Sequence, residues 1–197
     1  YHAADIYINR LIEKGYKVAI GEQVEDPKLA KGLVKREVVR IITPGTNMSA
    51  EILDDSKNNY LMSLSYYNNK FGVAVCDIST GIFKACHIAS NDKVIDEINK
   101  YQPSEIIYSD MFSKSGVDIS QCVDKLKISA SIAPEHYYDF DTCTETIKRH
   151  FRVSSTEGLG FKDFPETLLA VGAILSYLFD TQMNNLNHIN HIEVYSV

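Results

Sequence analysis

The sequence has no apolar run near the ~18 residues that a membrane-spanning helix requires, which excludes a helical span and a membrane partner of that kind. It has no C-x-x-C pair. Cys76, Cys86, Cys122 and Cys143 are widely spaced, which argues against structural zinc and a disulfide framework and for a reduced, cytoplasmic setting. Cys76 and Cys86 lie in apolar, strand-like runs, where free cysteine behaves as a small hydrophobe. His188 and His191 share a helical i, i+3 spacing, but no third ligand stands near them and no metal is expected. The chain also lacks a G-x-x-x-x-G-K-[ST] phosphate loop, a G-x-G-x-x-G turn and a nucleophile elbow. GLGF at 158–161 is too short to cradle phosphates and reads as a turn. With Tyr1 at its head, the chain is expected to begin inside a longer protein, so a missing targeting signal says little.

What is present is an ordinary soluble composition: 197 residues, 45% apolar and 23% charged, enough for one large domain or a smaller one plus a fragment. The net charge of −6 is unevenly spread. Residues 1–46 carry eight Lys/Arg and six Asp/Glu, a balance of +2, and the remainder carries −8. Nucleic-acid affinity comes largely from cations that displace counterions from phosphates. The long acidic part is therefore ill-suited to gripping DNA, while the first part can supply a few contacts.

In HAADIYINRLIEKG, Ala4, Tyr7, Ile8 and Leu11 form an amphipathic helical stripe, and Gly15 stands at a left-handed cap position. YKVAIGEQV and KREVVRIIT read as strands, the second ended by Pro44-Gly45. Residues 47–56 are polar and read as a linker. Three strands follow, NYLMSLSYY, KFGVAVCDIS and GIFKACHI, joined through Asn68-Asn69 and Thr80-Gly81 as tight hairpins. NDKVIDEINKY predicts a helix, SEIIYSD a strand inside a sheet, VDISQCVDKL a helix and KISASIA a strand. A helix is predicted to start at Thr142, with Thr142-x-x-Glu145 as its capping box. PETLLAVGAILSYLFDTQ predicts a helix buried on most sides, and LNHINHIEVYSV a strand leading elsewhere. The fold class is α/β: a mixed β-sheet flanked by helices, preceded by a truncated mixed α/β domain.

An antiparallel meander followed by helix and parallel strand matches a ribonuclease H-like core and raises a metal-dependent nuclease as the alternative function. Such enzymes need converging carboxylates around two cations ~4 Å apart. Asp77 and Asp110 are the candidates, but the first strand, where a catalytic aspartate belongs, contains no acid. Asp77 is expected to serve the turn after its strand instead.

Specific strings go further. YHA, EQ-x-x-DP and KREVVRI-x-TPGT, in this order and spacing, followed by DISTGIF, PSEIIY and AILSYLFDTQ, resemble the MutS family of DNA mismatch-repair proteins over essentially the whole chain. A small departure is Gly21-Glu22-Gln23, where bacterial relatives often read Cys-Glu-Gln. The resemblance implies that residues 1–46 are the C-terminal part of a mismatch-recognition domain. It makes 47–56 a linker, 57–185 a ribonuclease H-like connector domain without nuclease activity, and 186–197 the start of the core or lever domain. It places the mismatch-wedging Phe-x-Glu before Tyr1 and the ATPase, with its ATP and Mg, after Val197. No catalytic, cofactor-binding or metal-binding residue is then assigned to this chain. Mismatched duplex DNA, MutL and a second copy of the parent protein are the implied partners. Lys35 and Arg36 are nominated as DNA-backbone contacts, with Lys28 and Lys31 solubilising. Glu145, Thr146 and Arg149 are nominated as a surface for MutL.

Overall fold

Successive apolar residues of β3 (Leu61–Tyr67) face opposite ways in the computed structural model, which describes residues 2–48, 57–183 and 186–197. Met62 and Leu64 enter one core and Leu61 the other, so this strand is covered on both faces. It pairs antiparallel with β4 (Lys70–Asp77), which pairs antiparallel with β5 (Ile82–Ile88). Asn68 and Asn69 take φ of 50° and 59°, as a two-residue hairpin with the right twist demands. The second connection is not the tight hairpin expected. Asp77 pairs with Ile82, leaving 78–81 as a loop. The Asp77 carboxylate stabilises it by accepting from Ser79 N at 2.9 Å and Ser79 Oγ at 2.6 Å, and Gly81 closes it at φ 79°.

After the helix α2 (Asn91–Tyr101), β6 (Glu105–Tyr108) returns parallel to β3. Helices α3 (Asp110–Ser113) and α4 (Ser120–Leu126) lead to β7 (Ser129–Ile132), parallel to β6. Helices α5 (Phe140–Phe151) and α6 (Pro165–Gln182) follow. A short β8 (Glu193–Val194) adds parallel to β5, giving the order β7-β6-β3-β4-β5-β8. Residues expected to lead into a further domain thus lie on this sheet, and Leu186, Ile189 and Ile192 join its core. Val94 and Ile98 of α2, Phe112 of α3 and Cys122 of α4 cover one face. Cys143 and Ile147 of α5 and the apolar α6 cover the other. The result is three layers, helices on both faces of a mixed sheet.

Helix α6 lies very close to the sheet because Gly72 has no side chain. A Cβ there would overlap the Glu166 carbonyl. Gly172 plays the same part between α5 and α6, where a Cβ would stand 2.7 Å from Cys143 Cα and closer still to its side chain. All four cysteines are free and buried. Burial pushes the Cys86 thiol up to about 11 and the Cys143 thiol up to about 12, so both stay protonated and act as packing groups.

The smaller lobe comprises α1 (His2–Glu13), β1 (Val18–Gln23) and β2 (Arg36–Ile42), the strands forming an antiparallel ribbon. Its register shifts between Ile20 and Gly21, the site of the departure from Cys-Glu-Gln. On α1, Asn9 and Ile12 are buried and Ile8 half-buried, whereas Ala4, Tyr7 and Leu11 of the expected stripe are exposed. A two-stranded ribbon is too narrow to cover that whole face. Of the expected linker, residues 49–56 lie outside the described residues. Asn47 is buried, with its carbonyl accepting from Asn59 Nδ2 at 3.2 Å. Among the described residues, no helix is long and apolar enough to cross a membrane.

Candidate functional site

The two lobes meet at an elbow. The Pro44–Thr46 turn follows β2 and is fully buried, with the Thr43 and Thr46 hydroxyls 2.8 Å apart and Thr46 Oγ1 accepting from Thr43 N at 2.9 Å. Asn59 donates to the Pro44 carbonyl at 3.0 Å, closing the elbow against the start of β3. Glu105, the first residue of β6, is wholly buried beside it and accepts from Thr43 Oγ1 at 2.5 Å and Gly45 N at 3.0 Å. Tyr177 on α6 donates to the other carboxylate oxygen, and Lys17 stands 3.9 Å away. A buried carboxylate is tolerated only when donors and a cation compensate for lost hydration, and here they come from both lobes. Burial and the neighbouring Glu105 charge push the Tyr177 phenol up, which keeps it a donor.

The far end of the larger lobe is tied as well. Tyr195 donates to Glu97 on α2 at 2.5 Å, with Lys100 lying 4.7 Å from the Tyr195 ring centre. His188 and His150 hold the preceding segment through the Ile78 and Ile189 carbonyls, at 2.6 and 2.5 Å. His188 and His191 therefore have no helical spacing to exploit, and among the described residues no group of three potential ligands could hold a metal ion.

The nominated cations differ in what they face. Lys35 is exposed but lies 2.9 Å from Glu37, while its backbone N–H donates to Glu25. Arg36 is exposed opposite Gln23 and makes no ion pair among the described residues. Lys28 and Lys31 are exposed. On α5, Glu145 and Arg149 are exposed and Thr146 is half-buried.

The capping box expected at Thr142 does not form, because the helix begins at Phe140. Asp139 is the N-cap, accepting from Thr142 N at 2.9 Å and Thr142 Oγ1 at 3.0 Å. A carboxylate placed against the first-turn amides competes better than a hydroxyl, and those bonds hold the Asp139 carboxyl below its usual range. Glu145 is thereby freed from capping and lies 3.3 Å from Lys148. A cleft of about 570 Å³ lined by Glu135, His136 and Tyr138 adjoins the start of this helix.

A nuclease centre is not assembled. Asp77 is buried, and its carboxylate is engaged by Ser79 and by Asn59 N. Asp110 pairs with Lys114 at 2.8 Å. Register places Asp77 at the start of β3, beside Leu61, whereas Asp110 lies past the Tyr108–Leu64 pair. At ~3.3 Å per residue the two acids are roughly 15–20 Å apart along the strand, too far to share two cations. β3 itself, LMSLSYY, carries no acid to stand between them.

Sequence reasoning missed the Glu105 cluster. The sequence offered only separate hints, a lone acid opening the apolar strand EIIY and the string TPGT just after a strand, with nothing local to join them.

A six-stranded mixed sheet covered by helices and joined to a smaller α/β lobe through a buried polar elbow defines a two-lobed α/β protein. Comparison with known proteins specifies it. The family model described as MutS domain II matches residues 59–190, and the one described as MutS domain I matches residues 1–51. A DNA mismatch repair protein MutS of Lachnoclostridium phytofermentans is 49% identical over 195 residues, 99% of this chain and 21% of that protein. One from Alkaliphilus metalliredigens is 45% identical across 100% of this chain and 23% of its own length. One from Methanococcoides burtonii is 41% identical across 100% and 22%. The chain belongs to the MutS family. It spans about a fifth of the length of the curated relatives it matches.

Proposed function

We propose that this chain is the non-catalytic joint of a mismatch-repair protein. It links the mismatch-binding lobe to the core and ATPase regions and docks MutL. The observation that carries this reading is that the larger lobe is fastened at both ends. The incoming chain is tied at Thr43–Thr46 through Glu105, and the outgoing chain at β8 and Tyr195 through Glu97. A body held this way passes on a rotation at one end rather than absorbing it. The strand order, with β4 antiparallel between β3 and β5 and with β6 and β7 parallel to β3, supports a ribonuclease H-like connector. ATP and Mg belong to other regions of such a protein, as do its dimer contacts, and its setting is cytoplasmic. Mismatched duplex DNA is bound by the whole protein, with Arg36 contributing a backbone contact that positions without reading sequence.

The helix α5 is the surface for MutL, through Glu145, Thr146 and Arg149. With capping assigned to Asp139, Glu145 is available for that contact. The test is charge reversal in the full-length protein, Glu145→Lys with Thr146→Lys. MutL capture should fall while duplex binding persists. Unchanged capture by a folded variant would move the docking surface off α5. On its own the chain should bind duplex DNA at about 10⁻⁴ M or weaker at physiological salt, without mismatch preference.

A further inference from the structure

The groups around Glu105 divide by solvent access. Thr43 Oγ1 and Gly45 N, both on Oε1, are buried, and Tyr177 reaches Oε2 from α6. Gly45 cannot be replaced without disturbing this, since a Cβ would stand 2.9 Å from Glu105 Cβ. Lys17 is different. Its side chain remains 40% exposed, at 3.9 Å from Oε2. Its ammonium also donates to Ser131 Oγ on β7 at 3.4 Å and lies 5.4 Å from the Tyr177 ring centre. Three weak contacts from one flexible side chain, all to the larger lobe, make it the arm that can let go. The elbow has further but long supports, Arg40 to the Thr46 carbonyl and Gln182 to the Ile41 carbonyl, each at 3.5 Å.

We propose that Glu105 is an interlobe latch, in which Oε1 fixes a pivot at Thr43–Thr46 and Lys17, on the Oε2 side, holds the smaller lobe in one orientation. The pivot persists when Lys17 detaches, so release changes the angle between the lobes and not the fold of either. A ligand that prefers either orientation shifts the balance between them by its difference in affinity. The latch stands whether or not the lobes bind what has been proposed for them. Only its use in signalling rests on that reading.

The test reads pivot and arm separately in the full chain. Spin labels at Glu13→Cys on α1 and Lys93→Cys on α2 report the interlobe distance, both positions being exposed and the native cysteines buried. The unaltered latch should give one narrow distribution, Lys17→Met a broadened or second one, and Lys17→Arg a distribution near the original. Amide exchange reads the pivot. Glu105→Gln should lower protection of the Gly45 amide about tenfold, as loss of a charge-assisted hydrogen bond does, with the Leu64 and Ile106 amides unchanged. Thr43→Val removes one donor and should have the same effect more weakly, which covers the case in which Glu105→Gln fails to fold. An unchanged distance distribution in Lys17→Met would overturn the arm. Protection lost equally at Gly45, Leu64 and Ile106 would overturn the pivot, because it would mark Glu105 as a general stabiliser.

Discussion

Ile147 and Ile174 are wholly buried between the helices and the sheet of the larger lobe. In the smaller lobe Leu33 is 100% and Leu29 76% exposed, and Ile6, Tyr7 and Leu11 line an open side of α1. Residues of one chemical kind thus have opposite surroundings in the two regions. Burial of apolar surface, at ~25 cal/mol per Å², stabilises the larger lobe. The smaller one is joined to it by polar contacts at the elbow and by β2 lying against α6. Matched substitutions should therefore give unmatched results.

Glycine gives the largest contrast. A methyl group at Gly72 meets the Glu166 backbone, which cannot move without displacing α6 from the sheet. Gly72→Ala should cost about 4 kcal/mol, at the upper end of single substitutions. At Gly21 a Cβ would lie 4.0 Å from the Glu37 carbonyl, an ordinary contact. Gly21→Ala should stay within about 0.5 kcal/mol. Urea unfolding of both variants measures the difference, and equal midpoints would mean that α6 is not seated as described.

Truncating apolar side chains comes next. Ile147→Ala leaves a cavity between α5, α6 and the sheet and should cost about 3 kcal/mol. Leu33→Ala removes a side chain already in water, so its urea midpoint should match the parent's. A marked loss in Leu33→Ala would show that something covers the 24–35 loop in solution.

The sequence announced these two regions unequally. Period-two and helical patterns marked β3 to β6 and α2, α5 and α6, because each buries one definite face or all of them. The same rule misled at α1, where an apolar stripe is present but the two-stranded ribbon covers only the Asn9 and Ile12 side. The α5 cap was misread because Ser/Thr-x-x-Glu is a local pattern, and Asp139 three residues earlier offers a charged acceptor. The Asp-Ile-Ser-Thr-Gly turn was legible, since an aspartate that accepts from the residue two ahead is a local device. Glu105 was not, because its partners Lys17, Thr43 and Tyr177 come from three distant stretches and only folding brings them together.

A smaller effect tests how the outgoing chain is held. Burial lowers the His150 pKa against its bond to the Ile189 carbonyl, so the fold prefers the neutral ring. Below the unfolded value of about 6.5 the unfolded chain takes up the proton first, and stability falls as pH drops toward the folded pKa. It is fully present above that value. The urea midpoint should therefore decline between pH 7.5 and 5, and His150→Gln should flatten that decline. No comparable histidine lies among the described side chains of the smaller lobe. An equally steep decline in the variant would assign the pH dependence to another group.

The smallest expected effect separates two neighbouring cations of the smaller lobe. Lys35 has Glu37 at 2.9 Å as its counter-charge, whereas Arg36 has no such partner among the described residues. A cation already paired releases less counterion when a phosphate approaches, and it must first give up its partner. Both side chains are exposed, so replacing either should change stability by no more than about 0.5 kcal/mol. Only DNA binding should distinguish them. In the full-length protein, Arg36→Gln should reduce the slope of log affinity against log salt by about 1, evenly for matched and mismatched duplexes. Lys35→Gln should leave the slope nearly as it was, and Glu37→Gln should raise it by freeing Lys35. Fluorescence anisotropy between about 50 and about 200 mM salt measures all three. If Lys35→Gln lowers the slope as much as Arg36→Gln, the Lys35–Glu37 pair opens on DNA and both residues touch the backbone. If neither changes it, the contact lies on other cations of this lobe, of which Lys28 and Lys31 are exposed in the same loop.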